Sequence, residues 1–285
     1  MISAKQTNFI YFSELISTTE KLQPFWKELK QILETENISY AFLEKTSSVW
    51  CKDYMPFQTD VKKFIQFTYD PDFLKTPELA DYKTNPSRVT KQLSLGTIEL
   101  SDLIIDIGNL VNCEKKIAVC DKIFKDNSFI KDREVIIQKL KEILGCKEVL
   151  VLPTNKDDIF GQASTMMRFM NDNSLLVTTN PEQNKNWTKQ LDKTLQDACY
   201  HLIDFPGLYR KRSTKTSPFT AIGCYINFIH VGNKIIFPQF DIDLDTIALN
   251  TVRKIYPMSK VFPINCCELA EDGGVLNSLA WNIKI

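Results

Sequence analysis

The sequence predicts an α/β fold built from a repeated unit, in which an amphipathic helix leads into a short strand, a polar loop and a β-hairpin. Four segments carry apolar residues at three- and four-residue spacing, and each is followed by a short run of strand-forming residues. Turn-forming residues separate paired β-rich runs, as in hairpins. Polar motifs recur at similar places in the units and can therefore converge on a shared centre. No linker or low-complexity segment intervenes, so we expect residues 1–285 to form a single domain.

The elements can be taken in order along the chain. Residues 6–13 are predicted to form a strand, Thr18-Thr19-Glu20 to open a helix, and residues 39–43 to form the next strand. The later helices and their following strands are 134–144 with 147–152, 185–199 with 201–205, and 243–256 with 260–264. Hairpins are predicted at 101–112 with 116–120, 163–170 with 174–179, and 224–231 with 234–238. Residues 70–88 contain three prolines and suit a lid or an excursion over a cleft.

Composition disfavours several classes of function. The formal net charge is zero and no dense Lys/Arg cluster is evident, so a nucleic-acid partner is disfavoured. The sequence has neither a signal-like start nor an apolar run of membrane-spanning length, so we expect a cytoplasmic protein with no membrane partner. The eight cysteines form no C-x-x-C pair, and neither of the two histidines lies at ligand spacing from a cysteine. We therefore expect reduced thiols, no metal site and no cofactor.

Four motifs carry side chains suited to chemistry. Near the end of the sequence, Gly273-Gly274-Val275-Leu276-Asn277-Ser278 puts two glycines ahead of a predicted strand, where they allow a sharp bend and close approach. The stretch from Trp50 to Pro56 contains Asp53, and a carboxylate can meet a planar guanidinium through two charge-assisted hydrogen bonds. The remaining motifs are Ile105-Asp106-Ile107-Gly108-Asn109 and the segment from Gly161-Gln162-Ala163-Ser164 to Arg168-Phe169.

Together these motifs resemble those of the agmatine deiminase and bacterial peptidylarginine deiminase family. They follow one another in the family's order and cover residues 50 to 282. The resemblance implies the pentein fold, a five-bladed pseudo-symmetric α/β propeller of repeated ββαβ units, and therefore a fifth unit beyond the four that the pattern reveals.

The resemblance also implies roles for individual residues. Ser278 lies at the position of the family's nucleophilic Cys, and Gln162 at that of its His. Asp106 lies where a carboxylate supports that His. Asp53 and Ser164 occupy the positions of the two guanidinium-binding carboxylates. Further substrate-binding positions are Trp50, Asn109, Arg168 and Asn277.

The substitutions change what the site can do. In the family, a Cys thiolate attacks the guanidinium carbon and a His protonates the departing ammonia. A Ser hydroxyl needs an adjacent base, and the amide of Gln162 does not titrate. The first hypothesis is therefore a catalytically impaired, binding or regulatory protein for a small guanidino, ureido or amide ligand. The second is an active guanidino hydrolase that uses Cys266 or Cys267 as nucleophile. The third is a structural partner in an assembly, and a homo-oligomer is also compatible with the sequence.

Overall fold

The strands of the described residues combine into five small sheets. A computed structural model describes residues 1–77, 79–158, 160–179, 185–208 and 220–285. The strands within these ranges are β1 Phe9–Ser13, β2 Ser39–Leu43, β3 Phe57–Asp60, β4 Lys63–Thr68, β5 Thr97–Ile104, β6 Val111–Asn112, β7 Lys116–Cys120, β8 Glu148–Leu152, β9 Met167–Asn171, β10 Ser174–Thr179, β11 His201–Pro206, β12 Ile229–Val231, β13 Lys234–Gln239, β14 Lys260–Asn265 and β15 Trp281–Ile283.

Each sheet has three strands in the same arrangement. The sheets are β3-β4-β5, β6-β7-β8, β9-β10-β11, β12-β13-β14 and β15-β1-β2. In every sheet the middle strand runs antiparallel to the first and parallel to the third. The predicted five-bladed α/β propeller of ββαβ units is thereby confirmed, and the last strand joins the first two in one blade.

Four long helices provide the parallel crossovers. The α-helices of the described ranges are α1 Leu15–Thr18, α2 Gln23–Thr35, α3 Cys51–Tyr54, α4 Pro86–Thr90, α5 Lys122–Asp126, α6 Arg133–Leu144, α7 Lys185–Asp197, α8 Leu244–Ile255, α9 Cys267–Glu271 and α10 Leu276–Leu279. Local chemistry sets the ends of α6: the Asp132 side chain accepts from Glu134 N at 2.9 Å, and Gly145 ends it at φ +62°. The buried face of α6 packs into the core of its own blade.

The blade β3-β4-β5 differs from the others in its crossover. Between β4 and β5 the chain forms only short helices, namely 3₁₀ turns at Asp72–Lys75 and Ala80–Tyr82, and α4. Leu74 and Val89 are buried in the apolar cluster of this blade. Residues 70–77 and 79–88 therefore stand where the other blades have a long amphipathic helix, which explains why the sequence pattern revealed four units.

The structure corrects four sequence-based assignments, one of which is the predicted strand 224–231, because only Ile229–Val231 form a strand there. The predicted strand 101–112 is split, because β5 pairs with β4 of the preceding blade and a 3₁₀ turn at Ile107–Asn109 comes before β6. The predicted strand 163–170 begins with a 3₁₀ turn at Ala163–Thr165. Ser278 lies on α10 rather than on a strand. At the first of these turns, the Asp106 side chain accepts from Asn109 N at 3.0 Å, a local bond that competes with strand pairing.

Short turns precede the first strand of every blade and contact one another. These turns are α3, Ile107–Asn109, Ala163–Thr165, residues 224–227 and α10. Contacts run from α10 to α3, then to the second turn and the third. Cys224 Sγ lies 3.8 Å from Thr165 O, and Asn227 O accepts from Asn277 N at 3.0 Å. The five turns thus form a closed ring of turns, which carries most of the predicted site residues.

Candidate active site

Gln162 joins two carboxylates that belong to other blades. Its Nε2 donates to Asp53 Oδ1 at 3.0 Å and to Asp106 Oδ1 at 2.8 Å. All three side chains are sealed from solvent, with exposed fractions of 1% for Gln162, 7% for Asp53 and 4% for Asp106. An amide NH₂ has two donors, and here each reaches a different carboxylate. The Gln162 amide is therefore a neutral cross-link between the two acids.

Gly108 makes this close approach possible. A Cβ placed there would lie 2.3 Å from Gln162 Nε2 and 2.5 Å from Asp53 Oδ1. The preceding residue, Ile107, is buried in the apolar core of its blade. Gly108 alone therefore leaves room for the Gln162 amide, and Ile107 adds to the core.

A buried ion pair lies behind Asp106. Burial raises the pKa of Asp106, against the charge of Lys122 and the hydrogen bond from Gln162. Lys122 is itself buried, pairs with Asp126 and lies 3.4 Å from Asp72 Oδ1. Burial lowers the pKa of Lys122, but the charges of Asp106 and Asp126 outweigh it and the net shift is upward. Lys122 was not predicted from the sequence, where its local signal is the acid four residues later, Asp126.

Ser278 is held by an asparagine rather than by a base. Asn227 Oδ1 lies 3.5 Å from Ser278 Oγ and accepts from the backbone N of Asn277 at 3.1 Å and of Ser278 at 3.3 Å. Within the ranges that the structure describes, Asn227 is the hydrogen-bond partner of the Ser278 hydroxyl. No proton acceptor that titrates near neutrality therefore touches this hydroxyl in the described residues, and α10 is fastened through its backbone.

Like Asn227, Asn109 accepts hydrogen bonds from backbone N–H groups within the ring of turns. Its Oδ1 accepts from Cys120 N at 2.9 Å and from Ala163 N at 3.3 Å, and the residue is buried. Its acceptor oxygen thus serves the backbone of neighbouring segments. Asn227 was missed as a functional residue, although the repeat provides the signal, since both asparagines lie just before the first strand of a blade.

The glycine pair Gly273-Gly274 allows the chain to pass close to the Trp50 ring. A Cβ at Gly274 would lie 2.5 Å from Trp50 Cη2, and Gly273 has φ +81°. A side chain at Gly274 would therefore displace the indole, and Gly273 adopts a backbone conformation that glycine favours. This packing connects the Trp50 motif with the segment that carries Ser278.

A second group of predicted residues lines a cavity of about 560 Å³. Its wall includes Ser164, Arg168 and Asn277, whereas Asp53, Gln162 and Ser278 are absent from the described lining. Arg168 Nη2 donates to Phe228 O at 2.6 Å and to Asn277 Oδ1 at 3.1 Å. The predicted site residues thus divide into a sealed network and a cavity wall.

The two candidate alternative nucleophiles lie at the end of β14. Cys266 is buried in the largest apolar cluster, and burial raises its pKa well above the usual range. Burial and then the charge of Asp241, 3.6 Å from Cys267 Sγ, raise the pKa of Cys267. Both environments disfavour the thiolate, which is the nucleophilic form.

The described residues show neither a metal site nor a membrane helix. Among them, no three His, Cys, Asp or Glu side chains are grouped as ligands would be. In the same ranges, every helix is too short or too polar to cross a bilayer.

The five blades and the ring of turns define a pentein of the deiminase type. The chain matches the Porphyromonas-type peptidyl-arginine deiminase family over residues 2–283, and it belongs to that family. No curated protein matches it by sequence.

Solved structures share the fold at low sequence identity. An agmatine deiminase of C. jejuni superposes with a TM-score of 0.80 at 17% identity, over 99% of this chain and 94% of that one. The agmatine deiminase of Enterococcus faecalis gives 0.77 at 12% identity, over 99% and 94%. A dimethylarginine dimethylaminohydrolase (DDAH) of Pseudomonas aeruginosa, a mutant in complex with citrulline, gives 0.57 at 13% identity, over 98% and 100%.

Proposed function

We propose that this protein is a ligand-binding member of its family that does not hydrolyse guanidino groups at Ser278. The bridge from Gln162 Nε2 to Asp53 and Asp106 carries the proposal. A general acid must gain and lose a proton near the working pH, and an amide does neither. The bridge also occupies Asp53 Oδ1 and Asp106 Oδ1, carboxylate oxygens that a His and a substrate cation would otherwise share.

The nucleophile position supports the same conclusion. A Ser hydroxyl becomes an effective nucleophile only when a neighbouring base removes its proton. The contact at Ser278 Oγ is an amide oxygen of Asn227 at 3.5 Å, which cannot act as such a base. Attack on a guanidinium carbon would also require protonation of the departing ammonia, for which Gln162 has no proton to give.

The ligand that suits this site is less cationic than agmatine. Asp53 remains, but Ser164 replaces the second carboxylate, and loss of one partner of a buried charge pair costs about 2–5 kcal/mol. Agmatine should therefore bind in the millimolar range, on the order of 30-fold or more weaker than with both acids present. We propose a ureido or amide ligand that, when the sealed Gln162 bridge opens, contacts Asp53 and at least one of Gln162 and Ser278, in a regulatory role.

We further propose that the protein acts in the cytoplasm. All eight cysteines are free thiols, as expected for a protein in a reducing compartment.

An ammonia-release assay tests the loss of hydrolysis. Purified protein is incubated with agmatine, free arginine and a peptidyl-arginine substrate, and ureido product is measured in parallel. We expect no turnover above buffer, and no covalent modification of Ser278 by a haloacetamidine guanidine mimic in mass spectrometry. Turnover that disappears in Cys266→Ala or Cys267→Ala would contradict the proposal and establish the alternative nucleophile.

Calorimetry tests the ligand class. Agmatine and its ureido counterpart, N-carbamoylputrescine, are titrated into wild type and Asp53→Asn. We expect the ureido compound to bind more tightly, and Asp53→Asn to weaken it. Micromolar agmatine binding that survives Asp53→Asn would show that this network is not the binding site.

A further inference from the structure

The cavity beside the ring of turns contains two cations that form no ion pair within the residues that the structure describes. Lys52 and Arg168 both line it, and the charge of Arg168 is felt at Lys52. Burial, followed by that charge, lowers the pKa of Lys52 to about 8. In the described part of the chain, Lys52 makes no hydrogen bond or ion pair. Two like charges held together in a partly desolvated wall disfavour each other unless an anion joins them.

Arg168 is fixed in place without a carboxylate. Its Nη2 donates to two neutral oxygens, Phe228 O and Asn277 Oδ1, and the guanidinium lies 3.9 Å from the centroid of the Phe228 ring. The other guanidinium N–H groups are not used in these two bonds. A pre-oriented guanidinium of this kind suits a carboxylate or phosphate, which it can bind through two parallel hydrogen bonds.

The acidic residues of the cavity wall do not neutralise these cations. Glu114 and Asp172 belong to the hairpin turns after β6 and β9, and neither contributes to the pKa shifts of Lys52 or Arg168. Lys5 adds a further positive charge to the lining. The charge of Asp53 also acts on Lys52 and raises its pKa, but burial and the charge of Arg168 outweigh it. The positive charges of Lys52 and Arg168 are therefore only partly offset at this cavity.

Neutral polar groups of the same wall also lack partners. Within the described residues, Ser164 Oγ, His230 Nε2 and Asn282 Oδ1 are buried and make no hydrogen bond. Burial and then the charge of Arg168 lower the pKa of His230 to about 3, so its imidazole is neutral at pH 7. Buried polar atoms without partners are uncommon in folded proteins and point to a bound water, ion or ligand.

We propose that this cavity binds a small organic molecule whose anionic group, a carboxylate or a phosphate, lies between Lys52 and Arg168. Its hydroxyl groups would meet the unpartnered atoms of Ser164 and His230. A volume of about 560 Å³ lies within the range of small-molecule sites. The proposal goes beyond the function proposed above: Ser164 belongs to both sites, but Asp53, Gln162 and Ser278, which carry the proposed function, do not line this cavity.

Calorimetry on the full chain tests the proposal with two probes, inorganic phosphate and malate, each at constant ionic strength set with sodium chloride. We expect one equivalent of at least one probe to bind. Lys52→Met should weaken that binding by about tenfold or more, and Lys52→Arg, which keeps the charge, should retain it. Lys254→Met is the matched control, because Lys254 is exposed on α8 and outside the lining, and it should bind as wild type does.

The two probes separate the two ligand chemistries. Binding of phosphate alone identifies a phosphate ester site, and binding of malate alone identifies a carboxylic acid site. A second measurement needs no variant: the bound anion should slow acetylation of Lys52 by acetic anhydride in wild type. Failure of both probes to bind at 20 mM, or equal binding by wild type and Lys52→Met, would overturn the proposal. None of these outcomes depends on whether ammonia is released from guanidino substrates.

Discussion

Replacing Gln162 by Leu should destabilise the protein, because it removes the donors that satisfy two buried acids. The amide donates to Asp53 Oδ1 at 3.0 Å and to Asp106 Oδ1 at 2.8 Å. A hydrogen bond to a charged group contributes about 1.5–3 kcal/mol, so the expected loss in unfolding free energy is about 3–6 kcal/mol. Urea unfolding followed by circular dichroism measures it, with the slope against denaturant expected to stay unchanged.

The loss should depend on pH with a defined sign. Burial raises the folded-state pKa of Asp106, so folded protein binds this proton more tightly than unfolded chain does, and stability falls as pH rises through that range. The hydrogen bond from Gln162 lowers this pKa, so its removal raises the pKa further. The penalty of Gln162→Leu should therefore be larger at pH 7 than at pH 4.5.

Gln138→Leu is the matched control for this experiment. Gln138 Nε2 also donates to a carboxylate oxygen, Glu134 Oε1 at 2.8 Å, but on the exposed face of α6. Its replacement should cost no more than about 0.5 kcal/mol. If Gln162→Leu cost as little as Gln138→Leu, the buried bridge would not be satisfying the two acids.

Variants of Ser278 and Gly108, and chemical modification of Lys52, probe the ring of turns and the cavity beside it. Ser278→Cys alone should release no ammonia from agmatine, because Gln162 supplies neither an acid for the leaving group nor a cation that would lower the thiol pKa. The triple variant Ser278→Cys, Gln162→His and Ser164→Asp should be the smallest set of changes with measurable turnover. Robust ammonia release by Ser278→Cys alone would contradict this prediction. Gly108→Ala should cost about 1–3 kcal/mol in urea unfolding, since its Cβ would lie 2.3 Å from Gln162 Nε2, and wild-type stability would show that the amide moves freely. Because the pKa of Lys52 is about 8, its acetylation rate should rise with pH around a midpoint near pH 8, as peptide mapping can show, whereas a midpoint at the usual lysine pKa of about 10.4 would contradict it.

Elements with a strong local pattern could be predicted from the sequence. The strand at Ser39–Leu43 has the predicted bounds, and α6 differs by one residue because Gly145 marks its end. The β3-β4-β5 blade was not recognised as a repeat unit in the sequence, because its crossover has no long amphipathic helix to produce a periodic pattern. The prediction of one strand over 101–112 was wrong because the hydrogen bond from Asn109 N to the Asp106 side chain interrupts it. A pattern of apolar residues carries no information about such a side-chain cap.

The candidate site was only partly predictable for a related reason. The motifs singled out Asp53 and Gln162, but the bond between them joins positions 109 residues apart. Spacing in the sequence carries no information about which side chains of different blades touch. Lys122 and Asn227 were missed because their importance arises from neighbours distant in the sequence. The charge of Asp106 acts on Lys122, and Asn227 binds the backbone of α10.

The shared sheet of β1 and β15 has a consequence for the order of folding. Parallel pairing inside a blade is local, as between Ser174 and His201, whereas Phe9 pairs with Ile283 across almost the whole sequence. Closing the longer loop costs about 2 kcal/mol more in chain entropy. Blades should thus gain protection from hydrogen exchange before β1 and β15 join. The helices α10 and α3 contact each other beside the paired strands β1 and β15. Ser278 and Asp53 would therefore come together only in the last kinetic phase of folding, after most of the secondary structure has formed.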